Sequence, residues 1–190
     1  MKRFQLNKTP SVMAIASLFM LAGCENANQN TDSSATSKDA SKSVSVMMKS
    51  KSDSTVTGQV NYKEHNDEVS MKASFSGLDA GAHAIHIHAN ADCTAADETS
   101  AGGHWNPTNE KHGQWGSKDG YHKGDIGNFD VNENGKGRIS MQTNQWCIGC
   151  EDKTKNILNH AVIVHQGADD FVSQPSGGAG ARVACGEITQ

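Results

Sequence analysis

The sequence predicts an all-β domain in which about eight short antiparallel strands form a sandwich or a barrel. From residue 43 onward, apolar and polar residues alternate with a period of two, which is typical of strands with one buried face. Nineteen glycines against three prolines indicate many tight turns between these runs. No apolar stripe with the 3.6-residue period of a helix extends over helix length. Many short strands of this kind are typical of sandwiches and barrels.

The strands are predicted from alternating apolar residues and from the turn residues between them. Their predicted bounds are 44–48, 56–62, 69–75, 83–88, 126–131, 137–143, 160–165 and 182–187. The sequence NENG at 132–135 predicts a hairpin turn. Residues 89–121 carry no clear strand pattern, and a long segment of this kind inside a compact domain usually has a function.

The chain has 190 residues, which suits one domain and an additional segment. Its net charge of −4 and a pI near 6.1 show no basic footprint, so no nucleic-acid partner is expected.

Residues 1–23 are predicted to be a bacterial lipoprotein signal peptide. They begin with basic residues and continue with an apolar run at 11–22, which is shorter than the roughly 20 residues of a membrane-spanning helix. The run ends in LAGC, which resembles a lipobox, so Cys24 is expected to carry lipid. Acyl chains at Cys24 would hold the protein on a membrane. An ordinary signal peptide with a chance cysteine is the alternative.

Residues 24–41 are predicted to be the lipidated cysteine and a flexible linker. Their composition is polar with almost no apolar content, so they cannot bury enough surface to offset the entropy of ordering. The predicted location is the periplasmic face of the bacterial cell envelope, anchored by lipid.

Several histidines in the segment without strands, and on the strands next to it, predict a metal centre. His86 and His88 are two residues apart on a predicted strand, so both side chains point to one face, while Ile85 and Ile87 point to the core. Two imidazoles placed in this way can bind one ion. Alone, the pair is equally compatible with two surface histidines.

Further candidate ligands follow along the chain. His104, His112, His122 and Asp125 supply three nitrogens and one oxygen, which complete a tetrahedral zinc shell and leave no position for water. Such a site would be structural. His165 ends the apolar run 161–164 and offers another nitrogen beside His86 and His88, although core-edge packing is the ordinary role of a histidine there.

Six sequence blocks in these regions resemble copper/zinc superoxide dismutase. The blocks are GAHAIHIH (81–88), GHWNP (103–107), KHG (111–113), GDIGN (124–128), VHQGADD (164–170) and GARVACG (180–186), in the order of the family. The resemblance covers about residues 42–190. It implies an eight-stranded Greek-key barrel with long metal-binding and active-site loops.

The resemblance also implies two metal ions per subunit that share one ligand. The copper ligands would be His86, His88, His104 and His165, and the zinc ligands would be His104, His112, His122 and Asp125. His104 would bridge both ions. His83 matches a histidine of the motif that is not a ligand and that packs nearby.

Two further residues receive roles from the resemblance. Asp169 matches a carboxylate that links His86 with His112 and fixes the orientation of the rings. Arg182 matches the arginine beside copper that attracts the superoxide anion. From the residues alone, Asp169 could be a turn residue and Arg182 a surface cation.

The expected activity is the dismutation of superoxide to O2 and H2O2. Superoxide must both give and take one electron, so the metal needs two oxidation states, as Cu(II)/Cu(I) provides and zinc does not. One superoxide would reduce copper and leave as O2, and the next would reoxidise it and leave as H2O2. The rival hypotheses are a metal-buffering lipoprotein without turnover and a surface interaction module stapled by redox-silent zinc. A metal buffer needs neither Arg182 nor an open copper position, and the interaction module predicts redox-silent zinc in both sites.

The family match pairs Cys93 with Cys185. The remaining motif, Cys147-Ile-Gly-Cys150, is additional to the commonest family pattern. A zinc or redox site is one interpretation of it, but a local disulfide suits an oxidising compartment better.

The positive residues that would attract superoxide to the copper site differ from the commonest family pattern. Residues 166–181 contain no lysine or arginine, so guidance would depend on Arg182, with Lys111, Lys118 and Lys123 as further candidates. The resemblance leaves the oligomeric state open between a homodimer and a monomer.

Overall fold

The computed structural model of the protein describes residues 41–190. The predicted signal peptide, Cys24 and the linker up to residue 40 lie outside the described residues. Residues 41–190 form eight strands and one short 3-10 helix, Thr99–Ala101. No helix in this range has the length and apolar character needed to cross a membrane. The strands are β1 (Lys42–Ser50), β2 (Thr57–His65), β3 (Glu68–Ser76), β4 (Gly81–His88), β5 (Gly127–Val131), β6 (Lys136–Thr143), β7 (His160–His165) and β8 (Arg182–Ile188).

The strands close into an antiparallel barrel with the order β1-β2-β3-β6-β5-β4-β7-β8. Strands β4, β5 and β6 lie side by side. Strand β3, which precedes β4 in the chain, pairs with β6 at the far side of these three, which is a Greek-key arrangement. The predicted all-β, eight-stranded fold is therefore confirmed, with strand bounds close to those expected. Within the described residues each strand pairs with two neighbours, so the barrel is a rigid support for its loops.

The first half of the barrel has one wet face, as the alternating sequence predicts. In β3, Val69, Met71, Ala73 and Phe75 are buried, and most of the residues between them are exposed. The predicted hairpin turn at 132–135 is also present, because the amide of Gly135 donates to the carbonyl of Asn132 at 2.9 Å. The turn joins β5 to β6.

The second half of the barrel is covered on both faces. Every residue of β4 from His83 to His88 is buried, and β7 is almost as fully enclosed. The inner side chains join the main core, whereas Ala161, Ile163 and Cys185 pack against Ala101 of the long loop in a second apolar cluster. The loops that follow β4 and β7 therefore lie over the outer face of these strands.

Candidate metal centre

Strand β4 places two histidines under the loops. Ile85 and Ile87 lie in the main core with no exposed surface, so His86 and His88 point outward on the same strand. The loops cover both rings, which leaves them at most 1% exposed. Because successive side chains of a strand point to opposite faces, the two isoleucines enter the core and the two imidazoles are buried beneath the loops.

Two more histidines complete this group of four. His104 follows the loop after β4 and forms an isolated bridge with His88, while His165 is the last residue of β7. One ligand atom from each of His86, His88, His104 and His165 lies within 4.8 Å of the others. We refer to this four-nitrogen group as the copper set, after the ion that the sequence resemblance implies for it.

A second group lies beside the first and shares His104 with it. Ligand atoms of His104, His112, His122 and Asp125 also lie within 4.8 Å of one another, and all four residues are buried. We refer to this group as the zinc set. The ring centroids of His86, in the copper set, and His112, in the zinc set, are 6.1 Å apart, so the two sets are neighbours.

Gly124 allows the second group to approach the barrel. Its carbonyl accepts from the amide of Ile87 at 2.9 Å, and its amide donates to the carbonyl of Trp105 at 3.0 Å. A Cβ at position 124 would lie 2.1 Å from the carbonyl oxygen of Ile87. Only glycine therefore lets this segment lie directly on β4, with His122 and Asp125 on either side of it.

Most of these histidines use one ring nitrogen to bind the protein. Nδ1 of His88 donates to the carbonyl of Gly102 at 2.8 Å, and Nδ1 of His165 donates to that of Gly180 at 3.3 Å. Nε2 of His122 donates to the carbonyl of Glu110 at 3.1 Å. These bonds fix each tautomer and each ring orientation.

The opposite ring nitrogens are buried and have no hydrogen-bond partner within residues 41–190. In the copper set they are Nδ1 of His86, Nε2 of His88, Nε2 of His104 and Nε2 of His165. In the zinc set, Nδ1 of His112 and Nδ1 of His122 meet only the carboxylate of Asp125. A buried nitrogen without a partner costs about 1–3 kcal/mol, so the four nitrogens that converge in the copper set indicate a metal site.

Asp125 completes the zinc set with its carboxylate. Its oxygens lie 2.8 Å from Nδ1 of His104, 3.0 Å from Nδ1 of His112 and 3.2 Å from Nδ1 of His122. A tetrahedron with zinc–ligand bonds of about 2.0–2.1 Å has edges of roughly 3.3 Å. The distances from Oδ1 to His104 and His122 are close to this edge, and Oδ2 meets His112, so three nitrogens and one carboxylate oxygen can surround a four-coordinate zinc ion.

Asp169 connects the two sets from behind. Its Oδ2 accepts from Nε2 of His86 at 2.8 Å, and its Oδ1 accepts from Nε2 of His112 at 2.9 Å. Its own amide donates to Oδ1 of Asn128 at 2.8 Å, which fixes it against β5. One buried carboxylate thus orients a ring of each set, as the sequence resemblance implies.

Burial and neighbouring charges set the protonation of these groups. Burial lowers the pKa of His104 to about 4 and that of His165 to about 3, so both rings are neutral near pH 7. Burial also opposes charge on His112, yet the carboxylates of Asp125 and Asp169 raise its pKa to about 9. Burial alone would raise the pKa of Asp125, but the nearby rings hold it well below its usual range.

A cleft of about 450 Å³ opens onto one side of the copper set. It is lined by His88, His104 and His165 and, among others, by Glu110, Gln174 and Arg182. Arg182 is half-buried and donates from Nη1 to the carbonyl of Glu98. Among the lining residues Arg182 is the one lysine or arginine that the described chain provides.

Both expected disulfides are present. Cys93 pairs with Cys185 across 92 residues and joins the long loop to β8, three residues after Arg182. Cys147 pairs with Cys150, so the additional motif forms a local bridge.

Several residues of the site escape prediction from the sequence. The side chain of Gln174 accepts from the amide of His112 at 2.9 Å and donates to its carbonyl at 2.8 Å, which joins the two long loops. Lys51 and Glu98 form a buried ion pair near Arg182. No sequence motif marks the hydrogen bonds that Gln174 makes to the backbone of His112. In the sequence Glu98 is one acidic residue of a loop, and only the folded chain shows that its side chain is buried.

The fold and the site together define a closed β-barrel that carries two adjacent histidine clusters able to bind metal ions. The sequence model described as copper/zinc superoxide dismutase (SODC) matches residues 56–188. The chain therefore belongs to the copper/zinc superoxide dismutase family, which is a family of oxidoreductase enzymes.

Known relatives agree with this assignment. The chain is 36% identical over 138 residues to Superoxide dismutase [Cu-Zn] 2 of Aquifex aeolicus, covering 70% of this chain and 79% of the relative. It is 36% identical over 136 residues to the superoxide dismutase-like protein YojM of Bacillus subtilis, covering 69% and 68%.

Solved structures give the same result. A double mutant of a SOD-like protein from Bacillus subtilis matches with a TM-score of 0.68 and 33% identity, covering 77% of this chain and 97% of that chain. The clock protein EA4 matches with a TM-score of 0.68 and 28% identity, covering 77% and 93%.

Proposed function

We propose that the protein dismutates superoxide at a copper ion beside a structural zinc ion. The copper set of His86, His88, His104 and His165 would hold copper. The zinc set of His104, His112, His122 and Asp125 would hold zinc, and His104 would bridge the two. The observation that carries the proposal is the convergence of buried ring nitrogens on two adjacent points, where those of the copper set have no partner and those of the zinc set meet only Asp125.

The donor atoms suit these two ions. Four imidazole nitrogens suit copper, and three nitrogens with one carboxylate oxygen form a closed shell for zinc. When bound, copper supplies one-electron chemistry between Cu(II) and Cu(I), and zinc supplies a fixed positive charge. The cleft reaches the copper set through His88, His104 and His165, so a small anion has access to it from solvent.

Arg182 and the ring of His104 would act on the substrate. The guanidinium lines the cleft, so it attracts superoxide and orients it beside the copper set. Nε2 of His104 has no partner within residues 41–190 and faces the copper set, so it can hold a proton and pass it to the reduced product. Two superoxide ions and two protons then give O2 and H2O2.

A metallation experiment with His165→Ala tests this function. We expect wild-type protein loaded with both metals to hold one copper and one zinc per chain and to dismutate superoxide. His165→Ala should lose copper and activity but keep zinc, because His165 belongs only to the copper set. His65→Ala is the control, since His65 is exposed at the end of β2.

Two results would contradict the proposal. Loaded wild-type protein that is no more active than His165→Ala would leave metal buffering as the function. Redox-silent zinc at both positions would instead support an interaction module whose fold is stabilised by metal ions.

We also propose that Cys24 carries lipid and holds the enzyme at the periplasmic face of the envelope, where it defends against superoxide. Support comes from the LAGC sequence and the apolar run before it. Labelling cells with a radioactive fatty acid should mark the wild-type protein and leave Cys24→Ala unmarked. Label on both proteins, or on neither, would overturn this anchor.

A further inference from the structure

A buried ion pair lies beneath the loop that approaches Arg182. Lys51 directly follows β1, and its ammonium lies 2.8 Å from Oε1 of Glu98. The side chain of Glu98 has no exposed surface, and that of Lys51 is 15% exposed. Apart from this pair, neither carboxylate oxygen of Glu98 has a hydrogen-bond partner within residues 41–190.

Lys51 also binds the backbone of the same loop. Its ammonium donates to the carbonyl of Cys93 and, at 3.2 Å, to that of Ala95. The amide of the next residue, Ser52, donates to the carbonyl of Ala96 at 3.0 Å. One cation at the end of β1 thus contacts three residues of the loop, Cys93, Ala95 and Glu98.

The loop in turn holds the guanidinium of Arg182. Nη1 of Arg182 donates to the carbonyl of Glu98, so the direction of that carbonyl decides where the guanidinium lies. Glu98 adopts a left-handed backbone conformation with φ of 64°, which a residue with a side chain rarely adopts without other contacts to hold it. The ion pair with Lys51 is such a contact.

Stability alone does not explain this arrangement. The desolvation of two buried charges offsets much of their attraction, so such pairs are poor stabilisers compared with apolar residues of the same size. Glu98 presents its carbonyl to Arg182 and its carboxylate to Lys51. Lys51 neutralises that carboxylate beside the cation that must attract an anion.

We propose that Lys51 and Glu98 are positioning residues for anion recruitment. Lys51 holds Glu98, and the carbonyl of Glu98 holds the guanidinium of Arg182 toward the cleft. The proposal rests on the proposed function, since it concerns how an anion reaches the copper set.

Azide binding to the copper-loaded protein tests this role apart from turnover. Azide is a small anion, and its binding to Cu(II) is followed by the visible absorption spectrum. We expect Lys51→Met to keep its copper and zinc and to bind azide about tenfold more weakly, because a small displacement of a positioned group has effects of this order or larger. Lys51→Arg should restore most of the affinity. Lys49→Met, which removes an exposed lysine of β1, should bind azide as the wild type does.

A double-mutant cycle shows whether the effect passes through Arg182. In an Arg182→Ala background, Lys51→Met should cause no further loss of azide affinity. If Lys51→Met fails to fold, Lys51→Met/Glu98→Gln, which leaves no unpaired buried charge, should show the same weakening. Unchanged azide affinity in the folded variant, or full additivity with Arg182→Ala, would overturn the proposal. Wild-type protein that binds azide at Cu(II) but does not dismutate superoxide would contradict the proposed function instead.

Discussion

At the scale of single residues, the histidines of the two sets divide their ring nitrogens between protein and metal. Nδ1 of His88 and Nδ1 of His165 bond backbone carbonyls, which leaves Nε2 of each ring for copper. His86 has the reverse arrangement, because Asp169 takes its Nε2. The hydrogen bonds behind the rings therefore decide which nitrogen is offered, and the fold fixes this before any metal arrives.

Gly177 is required by the carboxylate that joins the two sets. A Cβ at this position would lie 1.8 Å from Oδ1 of Asp169 and 2.8 Å from Nε2 of His112. We expect Gly177→Ala to displace Asp169, to disorient His86 and His112, and to weaken the binding of both metals about 10–100-fold, as loss of such supporting contacts does elsewhere. Competition with chelators measures both affinities.

Gly178 provides the matched control for this substitution. It also has a positive φ, of 62° against 69° at Gly177, but a Cβ there would meet nothing closer than 3.7 Å. Gly178→Ala carries similar backbone strain without the clash, so it should keep both metals. Equal losses in the two variants would show that strain, and not contact with Asp169, is the cause.

Zinc binding should depend on pH through His112. Because the pKa of His112 is raised to about 9, its ring holds an extra proton at pH 7, and zinc must displace that proton from Nδ1. We expect zinc affinity to rise about tenfold per pH unit up to pH 9 and to level off above it. Chelator competition from pH 7 to 10 measures this profile.

Asp169→Asn sharpens the test of His112. Removal of one of the two carboxylates that raise the pKa of His112 should move the break in the profile to lower pH. A zinc affinity that is flat between pH 7 and 9 in the wild type would contradict the assigned protonation of His112.

Residue type predicts the metal ligands far better than it predicts the residues that hold the ligands and Arg182 in position. His104, His112, His122 and Asp125 are recognisable in sequence because few other side chains bind zinc. Lys51, Glu98 and Gln174 act through backbone groups or through burial that only the folded chain creates. Their contacts join segments more than forty residues apart, so no local pattern records them.

At the scale of elements, the period-two pattern predicts the strands wherever one face of the sheet meets water. It holds along β3 and fails along β4, where loops cover the outer face and both faces are buried. Strand β4 was nevertheless predictable, because two histidines alternate with two isoleucines. The long loops were predictable as segments without strands, but their path over the barrel depends on contacts such as the approach of Gly124 to Ile87.

The disulfide between Cys93 and Cys185 should contribute strongly to stability. It closes a loop with a separation of 92 residues, for which the chain-entropy model gives about 4–5 kcal/mol. We expect Cys93→Ala/Cys185→Ala to lose close to this amount in urea unfolding. The variant should also bind azide more weakly at copper, because the bridge anchors the loop that holds Arg182.

The second disulfide is the internal control. Cys147 and Cys150 are separated by only three residues, so the same model gives about 2 kcal/mol for their bridge. Cys147→Ala/Cys150→Ala should therefore lose less stability and keep the azide affinity of the wild type. Equal losses of stability from the two double variants would show that loop length does not govern the effect.

At the scale of the whole molecule, the charge distribution gives superoxide little long-range guidance. The chain has a net charge of −4, and residues 166–181 contain no lysine or arginine. Lys118 and Lys123 line a different surface depression, where Lys123 bonds the side chain of Gln145. Arg182 is thus the cation of the cleft, with Glu110 on the lining as an opposing charge.

The dependence of the rate on salt follows from this distribution. Steering by a strongly positive surface can raise association rates about 10–1000-fold and is lost as salt increases. With one arginine close to the copper set, we expect kcat/KM of the wild type to change less than about threefold between low and physiological salt. Pulse radiolysis over a range of ionic strength measures this slope.

A lysine added to the cleft should supply the long-range electrostatic attraction for superoxide that the wild type lacks. Ser176 lines the cleft and is half-buried, so Ser176→Lys places a new cation on its wall. We expect this variant to exceed the wild type about two- to tenfold at low salt and to converge with it at high salt, because screening removes the added attraction. Ser176→Gln, which adds a neutral chain of similar size, should give the flat slope of the wild type. A steep loss of wild-type activity with salt, or equal gains in both variants, would show that the field at the cleft is already set by charges beyond Arg182.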